Sequence, residues 1–303
     1  MHILITGAGG FLGSHLSRVL TGKGHFVTGV GRSAPRRPPD RGGYEFIQAD
    51  TARPGDWQRA VAGADAVVNL AGKSIFGRWS EAAKREIRDS RILTTRHVAE
   101  AMKGGKPAVL ISASGVGYYG DRGDEPLTEA AAAGEGFLPA LVTDWEAEAM
   151  RASQNGARVV TARLAVVLGP GGGAMAQMIP AFKWFLGGPL GSGNQWFPWI
   201  HIDDLAAAVV FLLETEAISG PVNLCAPNPV RQRDLARAIG AAVNRPAALP
   251  APAFLVRLAL GEFGGVLLES QRALPQRLRE HRFVFRYADV TQAVQAVAAA
   301  ARA

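Results

Sequence analysis

Cysteine is almost absent from the 303-residue chain, which contains Cys225 alone. A single thiol cannot form an intramolecular disulfide or a cysteine-based metal cluster, so disulfide-stabilised secreted scaffolds are excluded. Long apolar runs are lacking as well, because the apolar start is interrupted at Gly7 and the alanines at 298–301 are too few to span a bilayer. We therefore expect a cytoplasmic protein without a signal peptide or a membrane segment.

Acidic residues are also in deficit, since 26 Asp and Glu face 33 Lys and Arg, which gives a net charge of +7. The basic residues are scattered apart from Arg36-Arg37, and no aromatic residues interleave with them, so a nucleic-acid interface is not favoured. A basic surface instead suits an anionic cofactor. His201, Asp203 and Asp204 lie close in sequence, but nothing near them completes a ligand set, so we predict no metal site.

Short apolar runs alternate with helical patterns along the first half of the chain. The runs typical of buried parallel strands are 2–6, 26–30, 44–48, 66–70, 108–113 and 158–168. Apolar spacing of three and four residues predicts helices at 11–20, 79–102, 137–150 and 203–213, the last with Asp203 as its N-cap. This alternation predicts an α/β fold, a Rossmann-type doubly wound parallel sheet with right-handed crossovers and a smaller C-terminal substrate lobe.

The alternation of apolar strand and helix patterns gives way to glycine-rich segments after Leu168. Glycine-rich loops at 169–173 and 187–193 surround one helical run and suggest a mobile cleft. We expect a nucleotide-binding domain at 1–168, to which 199–228 returns, and a substrate lobe with a C-terminal domain at 169–303.

A glycine-rich turn, Gly7-Ala8-Gly9-Gly10-Phe11-Leu12-Gly13, joins the first strand to the first helix. In this pattern Gly7 permits the tight turn, Gly10 lets the backbone approach a pyrophosphate, and Gly13 lets helix and strand pack closely. The N–H groups that open the helix, at Phe11 and Leu12, then face the phosphates. The turn predicts a dinucleotide site.

The end of the second strand distinguishes NAD from NADP. An acidic residue there accepts a hydrogen bond from the ribose 2′-hydroxyl, but this chain has Arg32-Ser33. A guanidinium and a hydroxyl suit a 2′-phosphate, so we predict NADP(H) with Arg32 and Ser33 as contacts, assisted by Arg36 or Arg37.

Two further strand ends complete the predicted cofactor site. Asp50 follows the third strand and is expected at the adenine edge. Leu70, Ala71 and Gly72 follow the fourth strand, where small residues let the backbone run beside the cofactor ribose. In doubly wound sheets all these strand ends meet in one crevice.

Several motifs are specific when taken together. They are Asn69-Leu70-Ala71-Gly72, Arg78-Trp79, the segments 87–91 and 114–120, Asp144-Trp145-Glu146, the segments 187–193 and 199–205, Leu274-Pro275 and the segment 283–287. With them, nearly the whole chain resembles extended short-chain dehydrogenase/reductases, and within these a poorly characterised epimerase-like family of atypical members with a small C-terminal domain of unknown function. The resemblance implies an NAD(P)-dependent epimerase or oxidoreductase, and a homodimer formed through helices such as 79–102 and 137–150.

The resemblance also implies a catalytic Tyr and, four residues later on the same helix face, a Lys that lowers the pKa of that Tyr. The chain has four tyrosines, and none has Lys at that spacing. Counted from Trp145-Glu146, the usual positions fall at about Leu138 and Val142, which are both apolar. A phenol-based proton relay from this helix is therefore excluded.

Other residues are candidates for the missing chemistry. Ser114, at a strand end, is either a partner of the substrate oxygen or a strand cap. Tyr118 and Tyr119 are candidate proton donors, and one of them is expected in the core. Arg163 is expected to hold the cofactor or an anionic substrate, since a buried strand arginine needs a partner. His201 is either a general acid or, preferably, a turn histidine beside a helix start.

Two functions remain open at this point. The first is an NADP(H)-dependent oxidoreductase or epimerase-like enzyme acting on a small hydroxyl or carbonyl substrate, with Ser114 and one tyrosine handling the oxygen. The second is a catalytically silent NADP(H)-binding sensor or scaffold, which the missing Tyr/Lys pair motivates. Arg88 and Arg91 fit either a lining of the cleft or a solvated helix face.

Overall fold

The computed structural model describes residues 1–39 and 42–301. The strands are β1 His2–Thr6, β2 Phe26–Gly31, β3 Tyr44–Gln48, β4 Ala66–Asn69, β5 Val109–Gly115, β6 Pro126–Leu127, β7 Arg158–Leu164, β8 Val166–Leu168, β9 Trp196–Phe197, β10 Trp199–His201, β11 Gly220–Leu224, β12 Val230–Arg231 and β13 Arg272–Ala273. The helices are α1 Phe11–Gly22, α2 Trp57–Gly63, α3 Glu81–Met102, α4 Phe137–Met150, α5 Gly173–Lys183, α6 Ile202–Glu214, α7 Gln232–Ala242, α8 Ala253–Leu260, α9 Glu262–Val266, α10 Gln276–Glu280 and α11 Val290–Ala300. A 3₁₀ turn, Val116–Tyr119, follows β5.

Seven strands form one parallel sheet in the order β11-β7-β5-β4-β1-β2-β3. Every adjacent pair is parallel, and Ile3 of β1 lies opposite both Val27 and Ala66. The strand order reverses at β1, so the carboxyl end of β1 is the topological switch point where such sheets bind ligands. The predicted doubly wound Rossmann-type sheet is confirmed.

Helices cover both faces of this sheet. Alternate residues of β1 point to opposite faces, so Ile3 and Ile5 pack with Leu16 of α1, whereas Leu4 packs in the same cluster as Val98 of α3. All five side chains are fully buried, and each such burial contributes roughly 1.5–3 kcal/mol. Because both faces are covered, the central strands are largely apolar rather than alternating, whereas the edge strand β3 has exposed polar residues such as Glu45.

The predicted strand at 158–168 is wrong in one respect, because it divides at Ala165. The Ala165 N–H donates to the Leu224 carbonyl (3.1 Å), and the Val166 N–H donates to the Pro198 carbonyl (3.1 Å). The chain thereby changes partners, so β7 stays in the sheet and β8 pairs with β10 outside it. Valine and leucine continue from β7 into β8, so the apolar pattern could not show the division.

Two helix starts differ from the prediction. The third helix begins at Glu81 rather than Trp79, because the Ser80 side chain caps it by accepting from the Ala83 N–H (3.2 Å). In α6 the predicted cap Asp203 is wrong, since the His201 ring accepts from the Asp203 N–H (3.2 Å) and caps the helix. In the described part of the chain, no helix has the length and apolar character needed to cross a bilayer.

The chain after β8 builds a smaller lobe and also returns to the sheet through α6 and β11. In the lobe, α7 packs on α11 through Leu235, Ile239, Val294 and Val297. Its short strand β13 pairs with β6, which follows the 3₁₀ turn of the nucleotide-binding half. The lobe is therefore joined to that half at several places along the sequence.

Buried polar side chains reinforce this join. Asp204 of α6, only 2% exposed, accepts from the backbone N–H groups of Arg286 (2.8 Å) and Tyr287 (2.9 Å). Asn223 of β11 donates to the Leu274 carbonyl (2.9 Å). These bonds satisfy buried groups that would otherwise lose their hydration, so they fix the lobe against α6 and β11.

Two glycines of the glycine-rich loops have a packing role. A Cβ at Gly172 would lie 2.4 Å from the Phe11 ring, and one at Gly187 would lie 2.3 Å from the Phe182 ring. Such distances are shorter than any real contact, so only glycine permits these rings to pack against the loops.

Candidate active site

The glycine turn lies at the carboxyl end of β1. Gly7 has φ +70°, and its carbonyl accepts from the Gly10 N–H (2.9 Å). A Cβ at Gly13 would lie 2.3 Å from that carbonyl oxygen, so α1 and the turn are in direct backbone contact. No side chain of the described residues caps α1, and its first turn has no acidic residue. The first N–H groups of an uncapped helix favour an anion there.

The end of β4 forms one wall beside this turn. Asn69 accepts from the Thr6 hydroxyl (2.6 Å) and donates to the Thr95 hydroxyl (2.8 Å). A Cβ at Gly7 would lie 3.0 Å from the backbone of Ala71, so the segment Leu70 to Gly72 runs directly beside the turn. Asn69 thus fixes the two strand ends in register.

The loop after β2 forms the opposite wall. Its Ser33 carbonyl lies so close to Gly9 that a Cβ there would come within 2.0 Å of the oxygen. Arg32 and Ser33 are exposed, and the Arg32 carbonyl accepts from the Gln48 side chain (3.1 Å). Asp50 is also exposed and accepts from the Ala52 N–H (3.2 Å). The cleft therefore has basic and hydroxyl groups at the predicted 2′-phosphate position.

A buried ion pair lies beneath the ends of β5 and β7. Arg163, 3% exposed, donates through Nε and Nη2 to the two carboxylate oxygens of Glu146, both at 2.8 Å. Its Nη1 donates to the Tyr119 hydroxyl (3.0 Å) and the Glu129 carbonyl (3.4 Å). Burial lowers the pKa of Arg163, but the Glu146 hydrogen bonds and charge raise it above the ordinary value overall.

This pairing corrects the prediction that Arg163 contacts the cofactor. Nearly all of its N–H groups bond to protein acceptors, so Arg163 orients Glu146 instead. Glu146 also accepts from the Ser114 hydroxyl (2.5 Å). The motif Asp144-Trp145-Glu146 contained the signal for this residue, because Glu146 follows Val142 by four residues on the same face of α4.

The structure separates the two candidate tyrosines. Tyr119 is fully buried, and its hydroxyl donates to Asn223 Oδ1 (2.7 Å), so the prediction that it protonates a substrate is wrong. Burial raises the pKa of Tyr119 to about 12. Tyr118 is half-buried and lies with its ring 3.6 Å from the Arg163 guanidinium carbon. Ser114 and Tyr118 therefore remain beside the Arg163–Glu146 pair.

Arg91 of α3 is a cation for which the sequence left two positions open, the cleft and a solvated helix face. Its guanidinium carbon would lie 3.2 Å from a Cβ at Gly72 and lies 5.2 Å from the Trp145 ring. Its Nη1 donates to the Ile87 carbonyl (3.0 Å), and no carboxylate of the described residues forms an ion pair with it. Burial lowers the pKa of Arg91 to about 10. Arg91 thus lies in the cleft rather than on a solvated face.

His201 has a structural position at the start of α6. Its ring stacks on Tyr287 at 3.9 Å, and burial lowers the pKa of His201 to about 4. A neutral ring is needed to accept the Asp203 N–H, so the turn histidine is the better interpretation. Among the described residues, no group of three His, Cys, Asp or Glu is arranged to hold a metal ion.

A cavity of about 390 Å³ lies between the start of α4 and the C-terminal lobe. Leu138, at the position where the resemblance expects Tyr, lines it together with Trp79 and Phe137, whose rings are 5.1 Å apart. Arg257 and Glu269 line it from the lobe. The cavity is of ordinary size for a small ligand.

Sequence comparison identifies the family. The model of the NAD dependent epimerase/dehydratase family matches residues 3–225. The chain belongs to this family. A second model, a domain of unknown function (DUF1731), matches residues 251–297. The family expected from the motifs, including its C-terminal domain, is confirmed.

Named relatives match along almost the entire chain. The epimerase family protein SDR39U1 homolog, chloroplastic, of Arabidopsis thaliana is 39% identical over 301 residues, which cover 98% of this chain and 86% of the relative. The epimerase family protein YfhF of Bacillus subtilis is 40% identical over 295 residues, covering 96% and 95%.

Two crystal structures share the fold at similar identity. Human epimerase family protein SDR39U1 (isoform2), crystallised with NADPH, superposes with a TM-score of 0.86 at 34% identity over 99% of both chains. The nucleoside-diphosphate sugar epimerase from Corynebacterium glutamicum has a TM-score of 0.79 at 33% identity, covering 98% of this chain and 58% of the other.

Proposed function

We propose that the protein is an NADP(H)-dependent oxidoreductase acting on a small hydroxyl or carbonyl substrate. The observation that carries the proposal is the cleft at β1, where an uncapped helix start faces a loop with Arg32 and Ser33 in place of an acidic residue. The NADPH in the human relative supports the same cofactor.

The residues of the cleft divide into four groups by the part of NADP(H) they suit. Gly7, Gly10, Phe11, Leu12 and Gly13 suit the pyrophosphate, because the turn brings backbone N–H groups close to it. Arg32 and Ser33 suit the 2′-phosphate, and Asp50 the adenine. Leu70, Ala71 and Gly72, with Arg91 above them, suit the nicotinamide ribose. We assign residues 1–168 and the returning 199–228 to cofactor binding, and the rest to the substrate lobe.

The bound nicotinamide supplies or accepts a hydride, and the protein must manage the proton on the substrate oxygen. Ser114 donates its hydrogen to the Glu146 carboxylate, which Arg163 holds in place. Ser114 therefore presents lone pairs to the cleft and accepts from a substrate hydroxyl. Tyr118, whose half-buried ring lies against Arg163, helps to orient the substrate.

Titration of the purified protein with NADPH and NADH by calorimetry tests this proposal. We expect NADPH to bind at least tenfold more tightly, and Arg32→Ala to remove most of that preference, since a charge-assisted hydrogen bond contributes roughly 1.5–3 kcal/mol. Arg59→Ala, at an exposed arginine of α2, is the matched control. Failure of both dinucleotides to bind would refute the proposal.

A catalytically silent NADP(H) sensor is the second candidate. It is favoured by the burial of Tyr119 and by the engagement of Ser114 with Glu146, which leave few free proton donors near the cleft. It predicts NADPH binding without turnover of any carbonyl or alcohol, so the substrate screen described below distinguishes the two functions.

A further inference from the structure

The cavity beside α4 has the character of a substrate pocket for small apolar molecules. Its walls include Trp79, Phe137, Leu138 and Val266, which are apolar or aromatic. The Trp79 ring contacts the Phe137 ring of α4 and also the Phe263 ring of α9, with 5.6 Å between the centroids of Trp79 and Phe263. Trp79 therefore bridges α4 and the C-terminal lobe. Apolar walls with a few polar groups are typical of small-ligand pockets.

The charges of the cavity do not suit a nucleoside diphosphate. Glu262 forms an ion pair with Lys84, so these two charges largely cancel. Among the described lining residues, Arg257 is then the one remaining cation, and Glu135 and Glu269 are acidic. A diphosphate needs several cations or N–H groups to replace its hydration. The lining instead suits an uncharged ligand.

The backbone next to Glu269 is anchored at the edge of this cavity. The next residue, Ser270, donates its N–H to the Asp121 carboxylate (3.1 Å) and its hydroxyl to the Gly123 carbonyl (2.6 Å). Its carbonyl accepts from the Arg122 N–H (3.0 Å). The segment before β13 is thus fastened to the loop that follows Tyr119, on the nucleotide-binding half of the molecule.

Glu269 lines the same cavity as Leu138, so its carboxyl group is placed to reach a ligand there, and its environment suits proton transfer. Burial and the charge of Asp121 raise the pKa of Glu269 to about 7. A carboxyl group with this pKa is part protonated and part ionised at neutral pH, which is the condition for efficient general acid–base catalysis. Ser114 cannot supply this proton, because its hydrogen is donated to Glu146.

We propose that Glu269 protonates and deprotonates the oxygen of a small, uncharged, mainly apolar carbonyl or alcohol substrate bound in this cavity. The proposal rests on the dinucleotide function given above. In the reducing direction the carbonyl carbon gains a hydride from NADPH, the C=O π bond becomes an O–H bond with the Glu269 proton, and solvent then reprotonates the carboxylate. In the oxidising direction Glu269 takes the hydroxyl proton.

Two variants make the role of Glu269 testable. Glu269→Gln keeps the shape of the side chain but removes the exchangeable carboxyl proton. Glu280→Gln, at an exposed glutamate of the same lobe, is the matched control. Carboxyl ¹³C-NMR titrations of the wild type and both variants measure the pKa directly. We expect a glutamate with a pKa of about 7 in the wild type that disappears only in Glu269→Gln; its absence from the wild type would overturn the proposal.

A substrate screen with NADPH completes the test. The probes are hexanal, benzaldehyde and cyclohexanone, compared with UDP-glucose. We expect turnover of at least one apolar carbonyl, reduced on the order of 10²-fold or more in Glu269→Gln and unchanged in Glu280→Gln. Turnover of UDP-glucose alone, no turnover of any probe, or a rate that Glu269→Gln leaves within twofold would each overturn the proposal.

The NADPH titration distinguishes failure of the substrate proposal from failure of the cofactor proposal. If NADPH binds the wild type and Glu269→Gln equally while the screen fails, then the substrate proposal falls and the cofactor proposal stands. If NADPH binds neither protein, the cofactor proposal falls first.

Discussion

Replacing Arg163 by methionine isolates the contribution of the buried ion pair. The change removes two hydrogen bonds to Glu146, both 2.8 Å long, one to the Tyr119 hydroxyl and one to the Glu129 carbonyl, while keeping a side chain of similar length. Glu146, 14% exposed at its side chain, would then keep Ser114 as its main partner. Loss of one member of a buried pair costs about 3–5 kcal/mol, so we expect Arg163→Met to lower the free energy of unfolding by about that much.

Urea denaturation followed by tryptophan fluorescence measures this loss. The double variant Arg163→Met/Glu146→Gln removes the stranded charge as well, so we expect it to recover about 1–3 kcal/mol relative to the sum of the single changes. The control is Arg88→Met, which breaks an ion pair with Asp144 whose side chains are 44% and 50% exposed. We expect it to cost less than about 1 kcal/mol.

A cost of less than about 1 kcal/mol for Arg163→Met, similar to the Arg88 control, would contradict a stabilising role of the buried ion pair. A variant that keeps its stability but loses NADPH affinity would contradict it as well. That second result would restore Arg163 as a cofactor contact and remove its role in orienting Glu146.

Two further predictions concern the helices α1 and α6. Gly13→Ala should weaken NADPH binding at least tenfold and destabilise by about 1–3 kcal/mol, because its Cβ would lie 2.3 Å from the Gly7 carbonyl oxygen. Gly22→Ala, in the same helix with open space around it, should stay within about 1 kcal/mol of the wild type, as calorimetric unfolding can verify. His201 has a pKa lowered by burial from 6.5 to about 4, so the unfolded state binds more protons between these values. Stability should therefore be complete above pH 6.5 and fall by up to about 3 kcal/mol as the pH drops to 4. Denaturation across this range should show the loss in the wild type and not in His201→Asn, which keeps a cap acceptor; equal pH profiles would contradict the assignment.

Local patterns were sufficient where neighbouring residues decide the structure. The turn from Gly7 to Gly13 requires a positive φ at Gly7 and close backbone contact at Gly13, and both demands are visible as glycines in the sequence. The central strands of the sheet were recognisable because burial on both faces makes them largely apolar. The doubly wound order then follows from the alternation of strands and helices.

The active-site contacts depend on residues far apart in sequence, which local patterns do not show. Tyr119 and Asn223 are separated by 104 positions, yet the hydrogen bond between them satisfies the hydroxyl of this buried tyrosine. Ser114 and Glu146 are 32 positions apart. Glu269 had no recognisable motif at all, since its raised pKa comes from burial and from Asp121 in a distant loop. Charged residues whose partners lie elsewhere in the fold can be assigned only from the assembled structure.

The bonds from Asp204 bear on how this chain is divided into parts. Two separate sequence models match 3–225 and 251–297, as though the chain were two modules joined end to end. A fragment ending between them would lose the Arg286 and Tyr287 N–H groups that bond Asp204, and it would expose Leu235 and Ile239 of α7, against which α11 packs. The gap between the two matches is therefore a boundary of sequence relationship rather than of packing, and we expect a fragment of residues 1–250 to be less stable than the whole chain.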